Sequence, residues 1–365
     1  MLSARLMTAD SVKMSMLQRT TIQEIAEQAG VSAGTVSRIL NGKNKENRPS
    51  MARRSESVRK IALDMGYRPN AAARSMLSGK FDLVAFITCG TIGFDWYPKR
   101  VIHGLHDALA VQNSRLVISE LSRQEFEADQ LTPKFLQQTM VDGVVTMPDP
   151  IVAHKVLDFF KHYRTPCVMI NHDVPERAVF PDELGGGRML AEYVIAKGRR
   201  KIGFFHRPQR RLDHYSQHER RNGVIEACKA SKSKVTFYDH EPLPRQDSYI
   251  EPLANSEDGV NFLNAHRGID AVVCYEMPEA VAMIMAAVRL GLRVPDDLLV
   301  VAFHESWIYA EVGFSIPTAI IPFGGVAIAA VKMLNQLVAS RTSHQPMVRV
   351  PYTNVVDAVE NDVLS

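Results

Sequence analysis

From Phe81 onward, short apolar runs alternate with segments of helical periodicity. That alternation restricts the fold more than any other feature of the chain. The apolar runs are Leu83–Thr88, Arg115–Ser119, Gly143–Thr146, Cys167–Ile170, Lys201–Phe205, Val235–Tyr238, Asp270–Cys274 and Leu298–Ala302. Helical patterns lie between them, notably over Pro98–Val111, Ile151–Tyr163, Gly186–Lys197, Arg220–Lys229 and Pro278–Leu290. Strands that are apolar throughout and separated by helices form parallel sheets covered on both faces. Eight such strands predict an α/β body of two doubly wound lobes rather than one wide sheet. A ligand cleft is then expected beyond the carboxyl ends of the strands. No run approaches the roughly 18 apolar residues of a membrane span, so no membrane partner is expected.

The first 80 residues are of a different kind. They hold 14 Lys and Arg against 6 Asp and Glu, although the whole 365-residue chain carries only +3. A basic head on an acidic body fits a polyanionic partner, or equally a solvated basic surface, and charge alone does not choose between them. Thr21-Ile22-Gln23-Glu24 is a capping box, in which Thr21 and Glu24 satisfy each other's backbone donors. Ile22, Ile25, Ala26 and Ala29 follow at helical spacing, and Gly30 stops the helix. Ser32 can cap a second helix running to about Leu40, and a third is predicted over Ser55–Met65. Two helices joined by a tight glycine-containing turn make a helix-turn-helix. A short segment, Ala71–Leu77, follows the Pro69-Asn70 break; alone it is too short to hold a helix in water. The expected divisions are a flexible tail over 1–19, a helix-turn-helix head over 20–68, a short linker over 69–80 and a two-lobed body over 81–365. Within the body, lobe 1 is expected at about 81–181 and 316–339, and lobe 2 at about 182–315 and 340–360.

A helix that enters the major groove by its N-terminal end needs small or polar residues there, because the groove is only about 12 Å wide. Ser32, Ala33, Gly34, Thr35, Ser37 and Arg38 meet that demand. Arg38 can pair bidentately with guanine, Ala33 can touch only a thymine methyl, and Gly34 has no side chain to offer. Lys43, Lys45, Arg48, Arg53 and Arg54 either add phosphate contacts or only lengthen a turn.

The segments TIQEIAEQAGVSAGTVSRILNG and GYRPNAAARSM closely resemble the head of the lactose-repressor/galactose-repressor family of bacterial transcription regulators. VDG (141–143), PDELGGGR (181–188), GRRKIGFF (198–205), ERRNG (219–223) and LGLRVPDD (290–297) resemble that family's body. The resemblance implies a three-helix head and hinge helix joined to a two-lobed, periplasmic-binding-protein-like body. It implies a cytoplasmic homodimer reading a near-palindromic operator, often as a repressor of carbohydrate-utilisation genes, under the control of a small effector held between the lobes. By motif, Thr21, Ser32, Ala33, Thr35, Ser37, Arg38 and Asn41 would face the major groove or its phosphates. Tyr67, Asn70 and Ala73 would join them, and Met76 would stand where the family usually places a leucine wedge.

The same resemblance implies the effector residues. Asp95, Trp96 and Tyr97 lie in the first strand–helix turn, where the family stacks aromatics on its ligand. Arg220 matches the arginine of the family's RxxG motif, with His214 and Ser216 just before it. Tyr275 and Glu276 replace the Asn-Asp pair of one family motif, and His304 replaces an aspartate of another. A pocket of histidines beside Arg220 would suit an acidic sugar derivative, since a guanidinium can bind a carboxylate in two places. Gly185-Gly186-Gly187 fits neither nucleotide fingerprint and is expected to allow close helix–sheet packing.

An enzyme on such a fold would need a nucleophile with its base, a metal set or a phosphate loop. No GxSxG, Walker or dinucleotide motif is present, so no catalytic residue, metal or cofactor is expected beyond the effector. Cys89, Cys167, Cys228 and Cys274 are widely spaced and read as buried thiols in a reducing compartment. His214 and His218 have the spacing of a zinc pair but no third partner.

Overall fold

The computed structural model describes residues 20–42, 49–68, 79–89, 98–121, 140–148, 150, 152–206, 214–239, 255–305, 316–340 and 345–357. The chain divides into two units, Met1–Phe81 and Asp82–Ser365. The expected tail over 1–19, residues 43–48 and the expected hinge over 69–78 lie outside the described residues, as do Asp95, Trp96 and Tyr97.

In the first unit, α1 (Ile22–Ala29) starts at the Thr21 capping box and ends at Gly30. Gly30 has a φ of 64° and donates its N–H to Ala26 and Glu27, a left-handed closure that costs glycine nothing. Helix α2 (Ala33–Leu40) starts at Ser32, whose side chain accepts from the Thr35 N–H. Helix α3 (Pro49–Asp64) begins six residues before the Ser55 expected from the sequence. Part of the stretch read as a basic loop is therefore helical, and Pro49 suits a first helical position, where its missing N–H costs nothing. Ile25, Ala26, Val36, Ile39, Val58 and Ala62 form the head's core. Each large side chain among them contributes about 1.5–3 kcal/mol on burial. Thr20 Oγ1 closes the unit by donating to the Met65 carbonyl at 2.7 Å.

The second unit holds β1 (Leu83–Cys89), α4 (Lys99–Ala110), β2 (Arg115–Leu121), β3 (Gly143–Pro148), α5 (Ala153–His162), β4 (Cys167–Ile170) and β5 (Ala178–Pro181). Then come α6 (Glu183–Ala196), β6 (Lys201–Phe205), α7 (Tyr215–Ala230), β7 (Thr236–Asp239), α8 (Ser256–Ala265), β8 (Ala271–Cys274) and α9 (Met277–Arg289). The chain finishes with β9 (Leu299–His304), β10 (Thr318–Ile320), α10 (Phe323–Ser340), β11 (Val348–Val350) and β12 (Val355–Val356). One sheet has the order β11-β5-β4-β3-β1-β2 and the other β12-β10-β9-β8-β6-β7. Every pair is parallel except β10 with β12. The two doubly wound lobes are thus present, one with an antiparallel edge.

The chain passes between the sheets three times: after Pro181, after Ile320 and after Val350. The expected lobe boundaries need correction on this point. Residues 316–339 are expected in lobe 1; β10 instead pairs with β9 in the second sheet, while α10 packs against α4, β3, β4 and β5 of the first lobe as expected. Residues 340–360 are expected in lobe 2; β11 instead pairs with β5 in the first sheet, while β12 pairs with β10 in the second as expected. Helix α10 is long and apolar enough to span a membrane, yet Val326, Ala327, Ala330, Val331 and Leu334 are buried in the core. Gly104 on α4 faces Ala327 so closely that an added Cβ would lie 2.8 Å from the Ala327 methyl.

Candidate functional site

The exposed edge of α2 carries Ser32, Gly34, Arg38 and Asn41, with Ala33, Thr35 and Ser37 half-buried. Ser32 Oγ lies 2.9 Å from Thr35 Oγ1, and Asn41 Nδ2 donates to Ser37 Oγ at 3.3 Å. The backbone N–H groups at the start of α2 give this polar ridge a partial positive charge suited to phosphate oxygens. Thr21 is occupied by its capping box, with its N–H donating to Glu24 Oε2 at 2.7 Å. Tyr67 packs against the head core. Asn70, Ala73 and Met76 lie outside the described residues.

In the body, strand order reverses between β1 and β3 in one sheet and between β6 and β8 in the other. Ligands of open α/β sheets sit outside such switch points. His206 follows β6, Tyr275 and Glu276 follow β8, and His304 ends β9. All are therefore brought to one edge of the second lobe. Helix α7 adds His214, Ser216 and Arg220.

A hydrogen-bonded chain joins these residues. His214 Nε2 lies 2.9 Å from the Asn171 carbonyl, and Nδ1 lies 2.6 Å from Ser216 Oγ. Ser216 Oγ in turn lies 2.6 Å from Tyr275 Oη. A carbonyl can only accept, so Nε2 carries a proton, and in the neutral ring Nδ1 accepts. The order is then Tyr275 O–H to Ser216 O–H to His214 Nδ1. Burial pushes the Tyr275 hydroxyl up, above its ordinary range, despite the nearby Arg220 charge, which keeps it a donor. Because Asn171 follows β4 in the first lobe, this chain spans the two lobes. Arg349 of β11 reaches Glu219 of α7 at 3.0 Å, and the Arg100 N–H meets Glu305 Oε2 at 3.4 Å, so the lobes are tied at further points. Both His214 nitrogens are engaged, which leaves nothing for the zinc pairing with His218. Among the described residues no group of three His, Cys, Asp or Glu is placed to hold a metal ion.

Arg220 is buried with a partner that sequence reasoning missed. Its Nε and Nη2 donate to Glu183 Oε2 and Oε1 at 2.6 and 2.9 Å, and Nη1 donates to the Tyr275 carbonyl at 2.9 Å. The guanidinium also lies 4.7 Å from the Tyr275 ring and 4.5 Å from that of Phe303. Tyr352 Oη donates to Glu183 Oε2 at 2.6 Å. Burial alone would lower the Arg220 pKa, but Glu183 and its neighbours hold it well above the ordinary value. Glu276 is pushed up to about 7 by burial and then by Glu279, with Arg220 and His206 pulling the other way. Burial lowers His304. His206 Nδ1 lies 3.2 Å from Glu279 Oε1, and its ring rests 4.2 Å from that of Tyr275. His206 Nε2, Thr88 Oγ1 and Tyr215 Oη are buried with no hydrogen-bond partner among the described residues, an arrangement rare in folded proteins.

His206 could have been found from its place directly after an apolar strand. Glu183 and Tyr352 carry no such local signal. The glycine run also acts differently from the expectation. Gly187 meets the backbone of α7, and Gly186 meets the Tyr352 ring, so the close packing is helix against helix and ring rather than helix against sheet. Asp182 caps this helix, accepting from the Gly185 N–H at 3.2 Å.

A helix-turn-helix unit joined in sequence to a two-lobed α/β body with polar groups at its switch points is the architecture of a DNA-binding regulator. Residues 21–70 match the model of bacterial regulatory proteins of the lacI family, and residues 191–357 match that of the periplasmic binding protein-like domain. The chain is a member of the LacI family of DNA-binding transcriptional regulators, which are not enzymes. It is 24% identical over 330 residues to the HTH-type transcriptional regulator RegA of Clostridium saccharobutylicum, covering 90% of this chain and 95% of RegA. It is 23% identical over 337 residues to catabolite control protein A of Staphylococcus epidermidis, covering 91% and 96%. The fold matches the Lac repressor dimer bound to operator and the anti-inducer ONPF, with a TM-score of 0.71 at 20% identity and coverage of 93% and 98%. It also matches the CelR–cellobiose complex, with a TM-score of 0.58 at 23% identity and coverage of 93% and 99%.

Proposed function

We propose that the chain is a ligand-responsive repressor of carbohydrate-utilisation genes. Two copies pair, their heads read a near-palindromic operator, and a small effector between the lobes, a sugar or sugar derivative, alters operator affinity. The observation that carries this reading is the hydrogen-bonded chain from Tyr275 through Ser216 and His214 to Asn171. It runs along the carboxyl edges of both sheets, so a ligand inserted there changes how the lobes are joined. The Lac repressor and CelR structures, with operator and ONPF in one and cellobiose in the other, support the same reading. Arg38, Ser32, Ala33, Thr35, Ser37 and Asn41, with Thr21, Tyr67, Asn70, Ala73 and Met76, are the proposed DNA contacts. Asp95, Trp96, Tyr97, His214, Ser216, Arg220, Tyr275, Glu276 and His304 are the proposed effector wall.

Control requires only that the effector bind the two lobe arrangements with different affinity. Dimerisation raises the effective concentration of the second head once the first is bound. The test is fluorescence-anisotropy binding to DNA from upstream of the chain's own gene against scrambled DNA, at two salt concentrations, with and without a panel of sugars. A preference of about 10³-fold with a steep salt slope, changed by one of the sugars, is expected. Equal weak binding to both DNAs under every condition refutes the proposal.

A further inference from the structure

We propose that Glu183 is an internal counter-ion that sets the charge class the cleft accepts. By filling the fork of Arg220 it makes the site a reader of uncharged, hydroxyl-bearing ligands and closes it to carboxylates and phosphates. This deepens the effector reading above and rests on it.

The geometry of the pair carries the argument. A guanidinium recognises a ligand carboxylate through two parallel N–H donors, and here Nε and Nη2 already have one at 2.6 and 2.9 Å. The Arg220 and Glu183 side chains are only 4% and 1% exposed. An incoming anion would have to displace a buried carboxylate and leave it without a partner, the costly way to break such a pair. Glu183 is also anchored from a second side by the Tyr352 hydroxyl at 2.6 Å. Glu183 follows the first passage of the chain between the lobes, and Tyr352 lies in the third. The carboxylate is therefore held at once by Arg220 of α7 and by Tyr352 of the third passage.

The donors that remain are suited to neutral oxygens. Of the five N–H groups of Arg220, three are placed, on Glu183 and on the Tyr275 carbonyl. Two are left. They keep the directional donation of the guanidinium while its charge is balanced. The surrounding charge points the same way. Glu276 and Glu279 follow β8 on the same edge, and Arg349 is already paired with Glu219 at 3.0 Å. Burial, and then the Glu279 charge, hold the Glu276 carboxyl up to about 7 against the pull of Arg220 and His206. A histidine-rich pocket beside Arg220 favours an acidic sugar only while the fork of Arg220 is open. With Glu183 in it, that reason is gone.

The test uses the full chain as wild type, as Glu183→Gln, which keeps the size of the side chain and removes its charge, and as the double variant Glu183→Gln/Arg220→Gln. Thermal melts are recorded in formate, a carboxylate small enough to enter the fork, against chloride at equal ionic strength. Wild type should respond alike to both salts. Glu183→Gln should melt lower in chloride and regain several degrees in formate, and the double variant should lose that response. If Glu183→Gln does not fold in chloride, its refolding yield in formate against chloride reads the same effect. A wild type stabilised by formate as strongly as Glu183→Gln overturns the proposal. So does a Glu183→Gln that neither melts higher nor refolds better in formate.

A second arm compares glucose with glucuronate and galactose with galacturonate by the same melts. Any panel sugar that binds should bind wild type about tenfold or more tightly in its neutral form, and Glu183→Gln should narrow or reverse that order. An acidic member that stabilises wild type more than its neutral partner also overturns the proposal. The formate arm decides whether or not a panel sugar binds. A failure of the effector reading itself would instead show in operator binding that no ligand changes.

Discussion

Replacing Gly187 with alanine tests whether the crossing of α6 and α7 is what holds Arg220 in place. A Cβ at position 187 would lie 2.9 Å from the carbonyl carbon of Arg220 and 3.0 Å from its Cα, and closer still to its carbonyl oxygen. Comfortable carbon–carbon contact is about 3.5–4.0 Å, so the shortfall against the carbons alone is roughly 0.5–1 Å, and the oxygen adds to it. The atoms in the way are helix backbone, which has no rotamer to change. The crossing is close in both directions, because a Cβ at Gly223 would lie 2.7 Å from the Arg188 nitrogen and 3.0 Å from the Gly187 Cα. The helices must part, and a gap of about 0.5–1 Å forfeits a quarter to a half of the dispersion attraction across it. Overpacking of this kind costs about 1–3 kcal/mol, and rigid backbone places it at the upper end. Alanine returns about 1 kcal/mol through its better helix propensity. The net loss is then about 2 kcal/mol, a fall of about 4–8 °C in Tm for a unit of this size. Calorimetry of Gly187→Ala beside Gly324→Ala is the assay, since an added Cβ at Gly324 meets nothing within 4 Å. A Gly187→Ala protein that melts within a degree of wild type would show that the crossing tolerates a side chain and that Arg220 is held by something else.

Arg38→Ala should lose about 1–3 kcal/mol on operator DNA and little on random DNA; equal losses on both would make Arg38 a phosphate contact rather than a base reader. Gly34 sits in α2 where an added methyl meets only Ser32 Oγ at 4.0 Å. Gly34→Ala should therefore stabilise the head by about 1 kcal/mol while weakening operator binding, and stronger operator binding would show that the glycine does not serve close approach to DNA. Glu276 is held at about 7 against an ordinary 4.5. A raised carboxyl adds stability that is fully present below pH 4.5 and is lost as the pH climbs through 7. Glu276→Gln, with no proton to lose, should gain in Tm over wild type between pH 5 and pH 8; a difference that stays constant across that range would mean the carboxyl is not held up.

What the sequence determined alone is local. The capping box at Thr21, the stop at Gly30 and the Ser32 cap appear in the structure as read, because a cap involves residues within four positions of one another. Six of the eight strands were legible because burial on both faces leaves a nearly uninterrupted apolar run; β2 and β7, at the sheet edges, are partly exposed and were legible from their β-branched and aromatic residues. Strands Ala178–Pro181, Thr318–Ile320, Val348–Val350 and Val355–Val356 were not. They are two to four residues long, too short to show a strand period. Helix α8 was missed although Asn255 caps it and Glu257 and Asp258 fill its first turn, and α10 was missed although its apolar residues run its whole length. Only the tertiary structure decided which lobe each late segment joins, since β11 and β12 lie a few residues apart and pair in different sheets. It also decided the state of Arg220. The arginine stood out by its motif, but its charge is balanced by Glu183, 37 positions earlier, and that carboxylate is fixed by Tyr352, 169 positions further on. Sequence spacing carries the chemistry available at each position; pairing across such separations exists only once the three passages between the lobes bring those positions together.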